Sequence, residues 1–392
     1  MFLKLVPETL SETGSPKFND ISVASQQAEP MSDYDHSTVL VQFRSGLSDG
    51  DRDRVIAGFD GAIQRRFRLI PGRAEVRVGT RVGDALSVFR ASKDVIVAEP
   101  NYRFQVADVP NDPSFSKQWS LESPTAVHID ATRAWGLHKG SHSLKIAVLD
   151  TGIDRTHPEF SDNIWSNPLE VAGDGIDNDA NGYIDGTNGW DFTLNAPGVN
   201  RSNGDNDPTD GHGHGTHVSG IIAAQGNNAT GVTGICWDAA IVPLKVAGND
   251  GSGLTSWMIA AVEYCVRNGI PVANASIGGA NYSGYCKAAI DAAGIQGYLL
   301  FVAAAGNNGS DNDGTPFYPE TYDCPNIVSM ASITSSGAMS SFSNRGIASV
   351  DIAAPGSSIT STYPLGKSVS GYTTLSGTSM AAPMVAAVAG LL

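Results

Sequence analysis

The sequence predicts an α/β protein built around a mainly parallel sheet that helices cover on both faces, with a small α+β domain in front of it. Two observations predict this class. Beyond residue 144, short and almost wholly apolar strands alternate with helical segments, as buried parallel strands do. Between residues 38 and 98, the order βαββαβ is typical of helices packed on one face of an antiparallel sheet.

Residues 1–35 are polar, rich in Ser, Pro and Glu and without sustained periodicity, which predicts a disordered leader. The βαββαβ pattern then predicts a small ferredoxin-like domain at residues 36–107. Its predicted strands are 38–44, 62–69, 74–78 and 95–98, and its predicted helices are 49–59 and 82–91.

Residues 108–392 form the second predicted domain. Its predicted strands are 144–149, 241–246, 272–276, 298–304, 327–332 and 350–353, and its predicted helices are 214–224, 255–268, 287–293 and 379 onward. In a parallel sheet covered on both faces, chemistry gathers at the carboxyl ends of the strands and in the loops beyond them. Functional residues are therefore expected just after these strands or in the first turn of a helix.

The net charge of −15 at pH 7 argues against a nucleic-acid partner, because phosphate binding needs a basic surface. Residues 36–107 carry 12 basic and 8 acidic groups, whereas residues 108–392 carry 11 and 26, so the two segments are either complementary partners or differ by chance. No apolar run approaches the roughly 20 residues of a membrane span. Residues 1–10 lack the apolar core of a signal peptide, so either the protein is not exported or its native N-terminus is missing.

The four cysteines allow three complete disulfide pairings, and the sequence does not choose between them; they are Cys236, Cys265, Cys286 and Cys324. None has Cys-x-x-Cys spacing, which argues against a zinc or redox site. Cys236 and Cys265 lie in apolar segments and are predicted to be core residues.

Four polar residues each end a predicted strand, follow one or begin a predicted helix: Asp150, His214, Asn307 and Ser379. Asp150 ends an apolar strand, where a carboxylate can be buried and can orient a histidine. His214 starts a helix of small residues. Asn307 follows a buried strand, where its amide can donate to an oxyanion or form a turn before glycine. Ser379 begins the last helix, whose N-terminal N–H groups stabilise negative charge.

Two other chemistries fit parts of this pattern. The motif Asp150-Thr151-Gly152 also marks aspartic proteases, but these need two copies and the chain has one. The histidines at 212, 214 and 217 suggest a metal, but the chain has no His-Glu-x-x-His pattern. The chain order Asp, His, Ser is instead that of the subtilisin-type triad.

On these motifs the sequence resembles the subtilisin-type serine proteases, thermitase-like members in particular, over about residues 108–392. The matching motifs are Asp150-Thr151-Gly152, His214-Gly215-Thr216-His217 and Gly377-Thr378-Ser379-Met380-Ala381-Ala382-Pro383. The resemblance implies a three-layer subtilisin-like fold and a serine endopeptidase that forms an acyl-enzyme. In that mechanism Ser379 attacks the peptide carbonyl, His214 is general base and then general acid, and Asp150 orients His214. Asn307 and the Ser379 backbone N–H would bind the oxyanion.

The resemblance also implies a zymogen. Residues 36–107 resemble the family's propeptide, an intramolecular chaperone and inhibitor that is removed by self-cleavage, here near Ala107. Polypeptides in extended conformation are the implied substrates, bound as an added strand. The implied binding residues are Ser276, Ile277, Gly278 and Gly279 on one edge, Gly251, Ser252 and Gly253 on the other, and Phe317 at the base of the S1 pocket.

Calcium is the expected cofactor. Residues 177–188 have oxygen ligands at alternate positions and a glycine at the turn, like an EF-hand loop without its final glutamate; the alternative is an acidic surface turn. The predicted ligands are Asp177, Asp179, Asn181 and Asp185. The resemblance implies a second calcium site formed by Asp112, Glu159, Asn228 and Thr230, with the carbonyl groups of Gln225 and Val232.

The alternative function is a non-catalytic, calcium-dependent protein-binding module on the same fold. The resemblance further implies a secreted and monomeric enzyme. The last helix stops at Leu392 without a C-cap, and the family continues beyond this point, so we expect a chain that is truncated at its C-terminus.

Overall fold

The computed structural model describes residues 34–57, 61–69, 71–102, 109–193 and 204–392. The chain divides into two compact units, Met1–Val106 and Ala107–Leu392. The predicted leader lies outside the described residues except at its last two positions, and so does the predicted cleavage point near Ala107.

The N-terminal unit is a four-stranded antiparallel sheet with two helices. Its elements are β1 (Tyr34–Phe43), α1 (Asp49–Ala57), β2 (Ala62–Arg66), β3 (Arg73–Arg77), α2 (Val82–Ala91) and β4 (Val95–Tyr102). The strand order is β2-β3-β1-β4, and each neighbouring pair is antiparallel. Alternate residues of β1, Val39 and Val41, are buried in one core with Phe89 of α2, because successive side chains of a strand point to opposite faces.

The second unit is built on a seven-stranded parallel sheet, which confirms the predicted α/β class. Its strands are β5 (Lys145–Asp150), β6 (Trp190–Asp191), β7 (Ala240–Lys245), β8 (Val272–Ala275), β9 (Leu300–Ala304), β10 (Ile327–Ile333) and β11 (Ile352–Pro355). They run in the order β11-β10-β9-β8-β5-β7-β6, and every pair is parallel. Strands β12 (Ile359–Thr362) and β13 (Tyr372–Leu375) form a separate antiparallel pair.

Helices cover both faces of this sheet. They are α3 (Ala131–Trp135), α4 (His214–Ala223), α5 (Thr255–Arg267), α6 (Gly284–Gly297) and α7 (Thr378–Leu391). The alternating residues of β5 divide between two cores. Val148 belongs to the core that contains the apolar residues of α4 and α7, whereas Leu149 belongs to the core formed with α5 and α6. Burial on both faces explains why β5 is apolar throughout.

The structure extends α6 beyond the predicted 287–293. The helix begins after Ser283, whose Oγ accepts a hydrogen bond from the backbone N–H of Cys286 at 3.2 Å, and it ends at Tyr298 in the left-handed conformation. The pattern missed α3, β6, β12 and β13. Each has five residues or fewer, and such short elements depend on distant partners rather than on local periodicity.

All four cysteines are buried free thiols, so none of the three disulfide pairings is formed. Cys236 and Cys265 lie in the two cores, as predicted. Burial raises the pKa of Cys286 and of Cys324 to about 11, so both are inert thiols at neutral pH. No helix in the described part of the chain is long and apolar enough to cross a membrane.

Candidate active site

Asp150 and His214 form a pair at the carboxyl end of β5. Asp150 is the last residue of β5 and is fully buried, and His214 is the first residue of α4. The Nδ1 atom of His214 lies 2.7 and 2.9 Å from the two carboxylate oxygens of Asp150. The first turn of α4 can approach the end of β5 this closely because residue 215 is glycine. A Cβ there would lie 2.2 Å from the carbonyl oxygen of Gly152.

His214 and His217 sit in the same helix but have opposite electrostatics. Burial alone would lower the pKa of His214, but the charge and hydrogen bond of Asp150, with the charge of Asp210, raise it above the usual value. At His217, burial and the neighbouring His214 lower the pKa to about 3. Its Nε2 lies 3.1 Å from the carbonyl oxygen of Ile359. His217 is therefore a neutral packing residue, whereas Asp150 favours the protonated form of His214.

Ser379 lies in the first turn of α7, and 9% of the residue is exposed. Its hydroxyl donates to the carbonyl oxygen of Ser276 at 3.0 Å, and the Ser276 hydroxyl donates to the Ser379 carbonyl at 2.9 Å. The second bond has a local cause. Pro383 has no N–H, so the Ser379 carbonyl, four residues earlier, lacks its helical partner. Ser276 supplies that partner and ties the end of β8 to α7.

The side-chain amide of Asn307 is oriented by Thr378. Its Oδ1 accepts hydrogen bonds from the Thr378 backbone N–H at 2.8 Å and from the Thr378 hydroxyl at 3.1 Å. The Thr378 hydroxyl in turn accepts from the N–H of Gly306 at 3.1 Å. With the amide oxygen engaged by two donors, the amide nitrogen is the end of Asn307 that is directed to other partners.

One cavity of about 310 Å³ brings most of the predicted residues together. Those that line it are His214, Gly251, Ser276, Ile277, Gly278, Asn307, Phe317 and Ser379. A second cavity of about 240 Å³ is lined by Gly251, Gly253, Ile277, Gly278 and Gly279. Ser252 lines neither, and its carbonyl accepts a hydrogen bond from Gly248 in the turn. Asp150 lies behind His214 rather than on the cavity wall.

The floor of the larger cavity is formed where Gly278 meets Phe317. A Cβ on Gly278 would lie 2.5 Å from the Phe317 ring, so only glycine permits this approach. The next residue, Gly279, exchanges two backbone hydrogen bonds with Tyr318, at 2.8 and 2.7 Å. The Gly279 backbone is thus paired within the chain.

The acidic loop before β6 contains a group of carboxylates that could hold a metal ion. Glu170, Asp177 and Asp179 place one carboxylate oxygen each within 4.8 Å of one another. The Oε2 atom of Glu170 is buried and has no hydrogen-bond partner in the described chain. The predicted ligand Asp185 instead uses its Oδ1 to accept from the backbone N–H groups of residues 173–175. Asn181 uses its amide oxygen to accept from the N–H of Tyr183.

Asp112 and Glu159, predicted for the second calcium site, are both buried. Burial raises the pKa of both groups, that of Glu159 to about 7. Glu159 accepts three hydrogen bonds, from the N–H of Val232, the amide of Asn228 and the hydroxyl of Tyr372. Asn228 thus turns its amide nitrogen to Glu159, and its amide oxygen accepts from the N–H of Thr230. Asp112 and Glu159 therefore fit a cation better than Asn228 and Thr230 do, because the polar groups of Asn228 and Thr230 are already hydrogen-bonded within the chain.

Three site residues were missed by the sequence pattern: Asp210, Glu170 and Tyr372. The sequence could have predicted a role for Asp210, because an acidic residue shortly before the start of a helix is typical of a helix cap. Glu170 lies outside the alternating loop pattern, and Tyr372 reaches Glu159 from a position 213 residues away. No local pattern indicates such contacts.

Comparison with known proteins identifies the family. Residues 141–392 match the model of the subtilase family. A thermophilic serine proteinase from Bacillus sp. (strain AK1) is 32% identical over 382 residues, which cover 96% of this chain and 82% of that protein. Thermitase from Thermoactinomyces vulgaris is 38% identical over 284 residues, which cover 72% of this chain and 85% of that protein.

A third relative and a solved structure have sequence identities to this chain in the same range. Subtilisin DY from Bacillus licheniformis is 35% identical over 267 residues, 68% of this chain and 81% of that protein. The crystal structure of a cold-adapted subtilisin-like serine proteinase covers 65% of this chain and 76% of its own, with 35% identity and a TM-score of 0.49. The family match and the identities to these named proteases show that the chain belongs to the subtilase family and is a serine endopeptidase.

Proposed function

We propose that this subtilase cleaves peptide bonds with Ser379 as nucleophile, His214 as general base and acid, Asp150 as the orienting carboxylate and Asn307 as an oxyanion donor. One observation carries the proposal. His214 contacts both oxygens of Asp150 and lines the same cavity as Ser379 and Asn307. A base oriented by a buried acid, beside a serine and an amide donor, is the arrangement that acyl transfer requires.

The first half of the reaction forms the acyl-enzyme. The Ser379 hydroxyl turns from the Ser276 carbonyl to Nε2 of His214, a movement that substrate binding induces in the proposed mechanism. His214 takes the hydroxyl proton as Oγ bonds to the peptide carbonyl carbon. The Asn307 amide nitrogen and the Ser379 N–H donate to the oxyanion. The tetrahedral intermediate then collapses, and protonated His214 gives its proton to the leaving amine.

The second half of the reaction hydrolyses the acyl-enzyme and regenerates the free enzyme. Water attacks the acyl carbon and gives a proton to His214, and Ser379 regains a proton when the carboxylic acid product leaves. Asp150 holds Nδ1 of His214 and stabilises the imidazolium that forms in each half. The substrate is a polypeptide in extended conformation along residues 276–278, with the P1 side chain directed toward Phe317.

Ser379→Ala tests this function directly, with Ser376→Ala as a matched control. Ser376 lies three residues earlier, its hydroxyl accepts from the N–H of Ser358, and it does not line the cavity that contains Ser379. We expect the wild type and Ser376→Ala to hydrolyse a chromogenic peptide and Ser379→Ala to be inactive. A Ser379→Ala variant as active as the wild type would contradict the mechanism. A wild type that only binds protein in a calcium-dependent manner would favour the non-catalytic module.

We further infer that residues 36–107 act as an intramolecular inhibitor and folding aid, which self-cleavage near Ala107 removes. Three observations support this. The segment folds as a separate unit, and its net positive charge opposes the acidic remainder of the chain. Its sheet also has an apolar groove of about 360 Å³ lined by Leu40, Phe67, Leu69 and Val97. Such an exposed apolar groove is typical of a docking surface.

Self-cleavage is tested by the mass of the purified chain. The wild type is expected to lose its first 107 or so residues on storage, and Ser379→Ala to stay intact. A wild-type chain that hydrolyses peptides while keeping its full mass would contradict the proposal.

Calcium binding is proposed at Glu170, Asp177 and Asp179, because Oε2 of Glu170 is buried and has no partner among the residues that the structure describes, which favours a hard cation. A bound Ca²⁺ would neutralise the three carboxylates and fix the loop before β6. At the second site the proposal rests on Asp112 and Glu159, since Asn228 and Thr230 are engaged with each other. Export and a monomeric state stay predictions.

A further inference from the structure

Asp210 lies in the loop before α4 and is 5% exposed. Its Oδ1 accepts from the Thr151 hydroxyl at 2.9 Å and from the backbone N–H groups of His212 and Gly213 at 2.9 and 2.7 Å. Its Oδ2 accepts from the Thr216 N–H at 2.9 Å and from the Thr216 hydroxyl at 2.7 Å. One buried carboxylate therefore accepts five hydrogen bonds and joins segments that lie 59 residues apart.

Thr151 connects Asp210 to the end of β5. Its backbone N–H donates to Oδ1 of Asp150 at 2.8 Å, and its hydroxyl donates to Asp210. The same hydroxyl accepts from the N–H of Gly215 at 2.9 Å. The carboxylate that orients His214 and the carboxylate of Asp210 are thus joined through one residue.

Asp210 and Thr151 also satisfy the start of α4. The residue at the N-cap position is Gly213, which has no side chain to accept from the first N–H groups of the helix. Asp210 accepts from Gly213 and Thr216, and Thr151 accepts from Gly215. The orientation of this turn decides where the His214 ring points, and a misplacement of about 1 Å can lower a rate about 100-fold.

The charge of Asp210 acts on His214 as well. With Asp150 it raises the pKa of His214 against the effect of burial. The other titratable groups of this region are His212 and His217 on the same segment, and Lys245 at the end of β7. The Lys245 ammonium donates to the Thr151 carbonyl at 2.5 Å and is attracted by Asp150 and Asp210. Asp191 and Asp207 also attract the Lys245 ammonium, so the charges that act on His214 itself are those of Asp150 and Asp210.

We propose that Asp210 is a positioning residue of the peptidase reaction, which fixes the first turn of α4 to the end of β5 so that His214 faces both Asp150 and Ser379. The inference rests on the proposed roles of those three residues. Asp210 acts through His214 and does not touch the substrate.

Asp210→Asn in the full chain tests the role, with Asp154→Asn as the matched control. Asp154 lies four residues after Asp150, in the loop that follows β5, and its carboxylate accepts from Thr156 and Leu365 rather than from α4. We expect Asp210→Asn to lower kcat about 10- to 100-fold with KM within about twofold, because geometry rather than substrate binding is lost. Asp154→Asn should keep both constants. Unchanged kcat in Asp210→Asn would overturn the proposal.

The pH profile separates positioning of His214 from general support of the fold. Removing the Asp210 charge should move the acid limb of kcat/KM to lower pH, since His214 then loses its proton more readily. A lower kcat with an unmoved acid limb would overturn the proposal.

Titration of His214 by NMR in Ser379→Ala, with and without Asp210→Asn, needs no activity. A lower His214 pKa in the double variant supports the inference even if peptide hydrolysis fails, and equal values contradict it.

If Asp210→Asn does not fold, as judged by circular dichroism, Thr151 provides the second test. Thr151→Val removes the hydroxyl that links Asp210 to Gly215, whereas Thr151→Ser retains it. We expect Thr151→Val to lose at least about tenfold in kcat and Thr151→Ser to stay near the wild type. Equal activity of the two variants would contradict the link.

Discussion

At the start of α4 the Asp210 carboxylate accepts five hydrogen bonds from the chain, whereas in the acidic loop before β6 the Glu170 Oε2 atom is buried without a partner in the described residues. Asp177 and Asp179 lie beside Glu170 with like charge. The carboxylates around His214 are satisfied by hydroxyl and N–H donors. In the loop, Asp177, Asp179 and the Oε1 atom of Glu170 also accept from N–H donors. Their three carboxylates nevertheless lie within 4.8 Å of one another, and such close like charges are unfavourable unless a cation binds.

The difference shows two ways to fix a loop with buried acids. Around His214 the donors to the buried carboxylates all come from the chain itself. Asp150 and His214 can therefore be oriented before any ligand binds. In the acidic loop one oxygen of Glu170 has no partner in the described chain, and the proposed Ca²⁺ would supply it. The comparison therefore predicts that substitutions near His214 alter the reaction, and that removal of calcium alters stability.

The largest effect is expected for Asp150→Asn. The asparagine fits the same space but cannot hold the His214 tautomer or stabilise the imidazolium, so kcat should fall roughly 10,000-fold. Steady-state kinetics on a chromogenic peptide measure this loss, and circular dichroism confirms the fold. A loss below about tenfold would show that Asp150 is not the orienting acid.

The second-largest effect is expected for Asn307→Ala. It should lower kcat roughly 100- to 1000-fold with little change in KM, because the amide donates mainly to the transition state. Asn308→Ala is the matched control, since Asn308 is the next residue and its backbone N–H binds Asn344. Equal kinetics for the two variants would remove Asn307 from the proposed oxyanion site.

Calcium removal should change stability rather than chemistry. A chelator is expected to lower the Tm by about 5–10 °C, the shift for a ligand present at about 100 times its Kd on a unit of this size. Glu170→Gln should reduce the shift, whereas Asp174→Asn, whose carboxylate accepts from Ile176 and Asn178, should keep it. Identical Tm values with and without chelator would contradict the calcium proposal.

The smallest effect concerns another buried carboxylate, Glu320, whose partners among the described residues are Asn312 and Thr321. Burial raises its pKa from 4.5 to about 8. Its contribution to stability is present below the unfolded pKa and is lost as the pH rises through the folded one. We expect Glu320→Gln, which stays neutral, to gain a few degrees in Tm over the wild type between about pH 5 and pH 9. A constant Tm difference across this range would show that Glu320 is not held neutral.

The sequence predicted the positions of the catalytic candidates because these depend on local pattern. Asp150 ends an apolar strand and His214 starts a helix, and parallel strands bring their carboxyl ends to one edge. Asn307 and Ser379 followed from the same rule. The structure adds the reason why Ser276 belongs with them, since Pro383 leaves the Ser379 carbonyl without a helical partner.

The parts that the sequence could not predict are long-range choices between equivalent partners. Asp185 has the spacing of a calcium ligand, and in the structure its Oδ1 accepts from three backbone N–H groups, whereas the carboxylate beside Asp177 and Asp179 is that of Glu170. Asp210 looks like a helix cap, and its bond to Thr151 depends on how β5 and α4 meet. The disulfide question was likewise decided only by the fold, which keeps all four thiols free.

The central claim is that Ser379 is a nucleophile activated by His214. A fluorophosphonate reacts with such a serine by forming an Oγ–P bond and releasing fluoride, and tandem mass spectrometry locates the adduct. We predict one adduct per chain at Ser379 in the wild type and almost none in His214→Ala. An adduct on another residue, or undiminished labelling of Ser379 in His214→Ala, would contradict the account.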